Sequence, residues 1–530
     1  MSEWLFFKES LKLKQQQFTE RLIMREIQNR QRFLGQANIA DMTFHPKCRD
    51  DIPQILKALQ FLYTTPNTQE QIFRILEKMI PPEVDPQNGR PGMPLWRVFV
   101  MGMLKLNLDW DYDRLQEMMN QHKNIREMLG HSWKDDNEEY EVQTLKDNME
   151  LFTEEILDEL NQIIVKAGHS LVQTNSGKSV QKLVKKNNSE SGKELKGRVD
   201  SCVVQTNVHY PTDCNLLWDA LRKIIILTAR VCFKHRIEGW RGWKAELKKI
   251  KHLHRLTIGK KGKPNQTSKN REKKATAKKK AVKNYLSEAK KIIQKVHRSV
   301  LLLGDRVLSK KEIKKVEEIE NYFKEAMKLK EQVRRRVLKG EKIPQEEKIY
   351  SVFERHTEWI VRGKAGVEVE LGLRVCILED QYGFLLHHEV MQQLTDEKIA
   401  EKMVKEGKKR YKELKSCSFD KAFHNEENQK KLKQELELLI MPRKGKLSEE
   451  EKAEEAREEF VEGRRRHASV ESGVNGLMRH GLKRCRDRGI EHFRRNVALG
   501  VVARNLQKVG ALLVQQEAKK LKQQAKRTAA

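Results

Sequence analysis

Apolar residues along the chain follow two different rhythms. Early on they recur every three or four residues, at Ile55, Leu56, Leu59 and Leu62 and again at Ile72, Ile75, Leu76 and Met79, the period of helices that bury one face. Residues 1–80 therefore read as a helical region. Five of the twelve prolines crowd into Ile80–Pro94, which makes that stretch a connector. From 90 to 172 helical spacing returns, with Val98, Met101 and Leu104 on one helix and Leu115, Met119, Ile125 and Met128 beyond it. This pattern suits an all-α core and equally a helix-turn-helix-like module that grips duplex DNA. Periodicity does not separate the two.

A polar stretch at 173–197, rich in Ser, Asn, Gly and Lys, reads as a linker, and the second rhythm starts after it. Arg198–Tyr210 is β-branched and largely apolar, as a buried strand is, and Pro211-Thr212-Asp213 then opens a helix through Leu216, Leu217, Ala220, Ile224 and Ile225. From about 240 to 345 the chain is Lys-rich and helical with little core-forming content, which predicts a projecting helical insertion. Strands are expected at Glu347–Trp359, Val367–Leu378 and Gly383–Met391, the last two joined by a turn at Glu379–Tyr382 that includes Asp380. A helix over Asp396–Leu414, a strand over Lys415–Phe423, a helix over Glu426–Glu435 and a strand over Leu436–Met441 follow. An acidic, solvated helix at Ser448–Glu462 precedes the helix of Val470, Val474 and Leu477. The apolar run Val497–Leu513 includes Arg504 and Lys508 and reads as a buried helix rather than a membrane span. Residues 516–530 form a basic tail.

Charge changes the picture. Lys and Arg outnumber Asp and Glu by 106 to 75, a net charge of +31, and self-repulsion of that size makes a polyanion the expected companion. Residues 251–300 hold 17 Lys and Arg against two acids, so Lys278, Lys279 and Lys280 are candidates for phosphate contact. Aromatic residues are only 6% of the chain, which speaks against base stacking as the main mode of recognition. Seven scattered cysteines without a CxxC pair argue against both a disulfide framework and a zinc site and imply a reducing interior. The first fifteen residues contain no unbroken apolar core, so no secretory signal is read there. A cytoplasmic protein that makes no use of a membrane is expected.

Three acids stand out. Asp200 lies inside an apolar strand, where an ionised carboxylate costs several kcal/mol unless it is paired or holds a metal. Asp420 ends a second strand, where α/β sheets commonly bind ligands. Glu471 sits at the edge of an apolar helical stripe and can aim toward a sheet. Three carboxylates converging from separate elements can hold two divalent cations about 3.5 to 4 Å apart and promote in-line attack on a phosphodiester. Oxygen-only ligands suit a hard cation, so two Mg2+ ions are expected, with Mn2+ able to substitute.

Those acids lie in blocks that resemble bacterial insertion-sequence transposases of the DDE superfamily, whose catalytic core is RNase H-like and related to retroviral integrases. The blocks are Val199–Asp213, Phe419–His424, Ala468–Asn475 with Arg479, Gly481, Leu482 and Arg486, and His356–Lys364 with Val369–Gly372. The resemblance spans about 90 to 515. It implies an α/β, RNase H-like mixed-sheet catalytic domain over 198–515, interrupted by the basic insertion and preceded by a helical DNA-binding domain. It makes Asp200, Asp420 and Glu471 the catalytic metal ligands and double-stranded DNA, as transposon ends and target, the substrate. A homodimer or larger assembly on DNA and association with the nucleoid follow from it. Lys364, Asn475 and Arg479 become candidates for DNA contact. The chain departs from the pattern at Ala422, where many relatives have Gly, and at Gly473, where a better helix former is usual. Asp213, in the first turn of its helix, is read as structural. Two rivals stand beside this reading: an RNase H-like nuclease or resolvase that cuts without joining, and a non-catalytic nucleic-acid-binding protein.

Overall fold

The computed structural model describes residues 27, 38–45, 48–80, 92–131, 138–176, 194–258, 268–364 and 367–528. Most of the expected linker and most of residues 1–37 lie outside these. The chain forms two compact units, one made of residues 1–205 with 373–530 and the other of 206–372. Among the described residues it is a mixed α/β protein with one sheet of seven strands.

The first unit starts with helices α1 (Ile52–Thr64), α2 (Pro66–Glu77), α3 (Leu95–Asn107), α4 (Tyr112–Gln121), α5 (Lys123–Met128), α6 (Val142–Met149) and α7 (Glu154–Ser176). Proline early in α1 and at the start of α2 supplies a preset φ where no N–H is needed. Helix α3 is buried along nearly its whole length, as the all-α core reading requires. Trp96 packs with Tyr63, Phe73 and Phe99 and donates its indole N–H to the Met128 carbonyl at 3.1 Å, so the buried ring keeps a polar partner. Helix α7 runs to Ser176, past the expected start of the linker, because Leu171 and Val172 still find core to pack against. The next element, β1 (Leu195–Thr206), begins before its expected end.

The chain then enters the second unit with α8 (Asp213–Lys234), α9 (Trp243–Ile258), α10 (Ser268–Gly304), α11 (Lys310–Val333) and β2 (Glu358–Lys364). Here the expectation of little core is corrected. Helices α8 to α11 enclose their own cluster, including Leu217, Ile224, Trp240, Ile250, Tyr285, Ile292, Val296, Tyr322 and Leu329. Lysines dilute the apolar stripe in composition, yet Val282, Tyr285, Ala289, Ile292, Ile293 and Val296 keep helical spacing and are all buried. The strand expected at Glu347–Trp359 is also corrected. Pro344 and two charged residues favour a short 3-10 turn at Gln345–Glu347, and the Ser351 hydroxyl accepts from the Phe353 and Glu354 N–H groups, so extended pairing starts only at Glu358.

The remaining elements are β3 (Val367–Glu379), β4 (Leu385–Met391), α12 (Asp396–Arg410), β5 (Leu414–Phe419), α13 (Glu426–Glu435), β6 (Leu438–Ile440), α14 (Glu449–Glu455), α15 (Glu458–His467), α16 (Val470–Leu477), β7 (Arg484–Cys485) and α17 (Ile490–Thr528). Helix α12 stops earlier than expected because Tyr411 is extended, and β5 stops at Phe419 where a 3-10 turn takes over. The acidic stretch is two helices, α14 and α15, broken at Ala456–Arg457. The strand order is β2-β3-β1-β5-β6, with β4 beside β3 and β7 beside β1. Strands β1, β5 and β6 are parallel neighbours, whereas β3 runs antiparallel to β2 and β4.

Helix α17 packs against α1, α3, α7 and β4. Its Asn505 is fully buried: its carbonyl oxygen accepts from the Leu385 N–H, and its amide donates to the Leu385 carbonyl and to Asn161. Such a fully paired polar knot fixes the seating of an otherwise apolar helix. By length and composition α17 could cross a membrane, but 67% of its most apolar window is buried, in keeping with the expected core helix. The supposed basic tail continues this helix to Thr528, with its side chains exposed from Glu517 onward.

Candidate active site

Two of the three acids meet through strand register. Strands β1 and β5 pair in parallel, Arg198 with Ser418 and Val199 with Phe419, so the next residues, Asp200 and Asp420, leave the pairing abreast. Neighbouring strands are about 4.8 Å apart and successive side chains alternate in face. Val199 and Phe419 are buried in the core, which turns Asp200 and Asp420 together toward the opposite face. Asp200 is half-buried and Asp420 exposed. Each accepts a bond from the N–H that follows it, Ser201 at 2.7 Å and Lys421 at 2.7 Å.

Helices α15 and α16 bring the third acid to this face. His467, at the end of α15, meets the Ser418 hydroxyl through Nδ1 at 3.0 Å. Burial holds the His467 pKa below its ordinary value against the opposing influence of Asp420 and Glu471, while Arg198 adds to the lowering. One imidazole thus feels both acids. Glu471 is exposed in the first turn of α16. Among the described residues, no three His, Cys, Asp or Glu side chains gather closely enough to hold a metal ion. The two aspartates are brought together; the glutamate does not complete a metal-holding group with them.

What seats α16 escaped the sequence reading. Gly473 faces the Glu379 carboxylate so closely that a Cβ there would lie 1.8 Å from Oε2, and a Cβ on Gly476 would lie 2.6 Å from Nε of Arg504. The glycine that looked out of place is therefore required by contact. Glu379, at the end of β3, bonds Arg198 at 3.1 Å. Burial nevertheless raises its pKa to about 7, with Arg198 and Arg504 opposing the rise. The ion pair and the raised value point in opposite directions; with the carboxyl almost fully enclosed, desolvation prevails. Asp380 beside it is indeed a turn residue, accepting from the Tyr382 and Phe384 N–H groups, and it also binds His169 at 2.5 Å. A cleft of about 290 Å³ opens on this face, lined by Arg198, Ser418 and Arg466 among others.

The remaining candidates scatter. Asn475 and Arg479 are exposed along and just beyond α16. Lys364 ends β2, and its side chain lies outside the described residues. Lys278, Lys279 and Lys280 are exposed on α10, in the second unit. Asp213 lies in the first turn of α8 and pairs with Arg336 at 3.2 Å, as its structural reading anticipated. No protein-family model, curated protein or solved structure matches the chain.

Proposed function

We propose that the chain is a DDE-superfamily transposase with an RNase H-like core, which cuts at transposon ends and joins the freed 3′-hydroxyl to target DNA. The observation that carries this reading is the β1–β5 register, which sets Asp200 beside Asp420 on one face of a mixed sheet. Glu471 reaches the same neighbourhood on α16, a helix of eight residues. Non-helical backbone at His480 and Gly481 interrupts the turn that follows it; completing the set requires Glu471 to close on the two aspartates when metal binds, against the tight Gly473–Glu379 contact.

Carboxylate oxygens from Asp200 and Asp420 fit a hard divalent ion, and Glu471 would add the third ligand once α16 closes; two Mg2+ ions, or Mn2+ in their place, are the expected occupants. Held by those residues, such ions would supply activation of the attacking water or 3′-hydroxyl and stabilisation of the leaving oxygen. The chain's own residues supply the rest. Arg198, bonded to Glu379, and Arg466, paired with Glu462, would exchange those acids for a phosphate at the cleft, and exposed lysines of α10 hold flanking DNA. The reading places the protein on the nucleoid, pairing two ends as a homodimer or larger assembly.

The test is incubation of the protein with DNA from the gene's own flanks, with and without Mg2+, mapping each nick to the nucleotide. Asp200→Asn and Asp420→Asn are each expected to lower cleavage at least about a thousandfold while DNA binding persists. Undiminished cleavage by either variant rejects the reading. A pre-cut end then distinguishes joining from cutting alone. The carboxylates' incomplete gathering favours one alternative, a non-catalytic nucleic-acid-binding protein, and full biological activity in Asp200→Ala would establish it.

A further inference from the structure

The second unit contains a cleft of about 620 Å³ that the proposed chemistry does not use. Its residues come from the turn after β1, the start of α8, the end of α9, the first third of α10, the helical turn that follows α11, residues 345–350 and strand β2. Three aromatic rings gather in it. Tyr210 meets Trp359 edge-on with centroids 5.7 Å apart, and Tyr350 stacks on Trp359 at 5.7 Å and 30°. Tyr210 is 64% exposed, and Trp359 and Tyr350 are half-buried. A chain with only 6% aromatic residues has therefore concentrated three of them on one open surface.

Cations surround the rings. Lys278, Arg336 and Lys348 line the same cleft and are all exposed. Arg336 shares its charge with Asp213, whereas Lys278 and Lys348 have no acidic partner among the described residues. The volume falls within the range of small-molecule sites, roughly 300 to 1,000 Å³. Its shape and chemistry suit a flat ring with negative charge on either side. Aromatic faces stack on any base, and the cations answer the phosphates. Duplex DNA offers no such ring, because its bases are already stacked.

We propose that this cleft binds an unpaired DNA nucleotide, its base packed against Trp359 and Tyr210 and its flanking phosphates held by Lys278, Arg336 and Lys348. The proposal rests on reading the protein as one that acts on DNA, and it adds a single-strand site separate from the carboxylates.

The experiment uses the full chain and a short labelled oligo-thymidine strand, followed by anisotropy, with 5-bromodeoxyuridine replacing one thymidine for photo-cross-linking. Tyr210→Ala, a change at an exposed ring, and Trp359→Ala are each expected to weaken single-strand binding between about five- and a hundredfold. Trp359→Phe should restore most of the affinity, which a mere folding defect would not allow. Duplex affinity should stay within about twofold, and the cross-link should map to Trp359, Tyr210 or Tyr350. Unchanged single-strand affinity in both alanine variants, or cross-links confined to other residues, overturns the proposal. Asp200→Asn should bind the strand normally. Loss of cleavage chemistry therefore leaves this inference standing, while failure to bind both duplex and single strand would sink the DNA reading itself.

Discussion

Gly473 and Glu379 define the tightest constraint near the candidate site. A methyl group at 473 would collide with a carboxylate that is itself enclosed, so neither partner can retreat freely. Gly473→Ala is expected to destabilise the protein by about 1–3 kcal/mol, visible as a lower denaturant midpoint, although alanine is the better helix former. Glu379 also gives stability a pH dependence. Its folded pKa is raised, from 4.5 to about 7, so the neutral carboxyl's contribution is fully present below about pH 4.5 and is lost as the pH climbs through about 7. Glu379→Gln, which cannot ionise, should therefore match the parent near pH 4.5 and exceed it by about 1–3 kcal/mol above pH 7. Denaturation curves at both pH values check this, and a parent that gains on the variant as the pH rises would contradict the assignment.

At the scale of elements, α10 divides into two faces. Val282, Tyr285, Ala289, Ile292 and Val296 are buried. Glu288 is shared by Lys249 and Lys291, whereas Lys278, Lys279 and Lys280 point to solvent without an acidic partner among the described residues. If those three contact phosphates, replacing all three with Gln should reduce the salt slope of duplex binding by about two to three, measured as log Kd against log salt. An unchanged slope would remove them from the interface. The same helix shows what a sequence discloses and what it hides. Strand β1 and helix α8 were legible because the β-branched residues Val199, Val203, Val204 and Thr206 and a Pro-Thr-Asp start are local signals. The core of α10 was not, because a Lys-rich composition masks a stripe that needs only one residue in three or four. Glu379 and Asp380 read as ordinary turn residues, since nothing local reveals that α16 and α17 bury the first and α7 the second. Gly473 carried the one available hint, an unexplained glycine in a helix. The pairing of Asp200 with Asp420 needed the register of strands more than two hundred residues apart, which no local pattern states.

At the scale of the whole molecule, the chain holds two compact units with separate apolar clusters. Leu329 is fully buried in the second cluster. Leu329→Ala should cost about 2–5 kcal/mol and speed amide exchange throughout 206–372, while protection around Leu104 and Leu506 in the first unit stays unchanged. Acceleration spread evenly over both units would mean that they open as one.

Helix α17 completes the core that α1 and α3 begin, yet the ribosome makes everything from Asn107 to Ile490 in between. At about 5–20 residues per second, those early helices wait on the order of tens of seconds with their apolar faces uncovered. A nascent chain arrested before Ile490 should accordingly be sticky and a client of chaperones, and supplying the missing segment as a separate peptide should rescue its solubility.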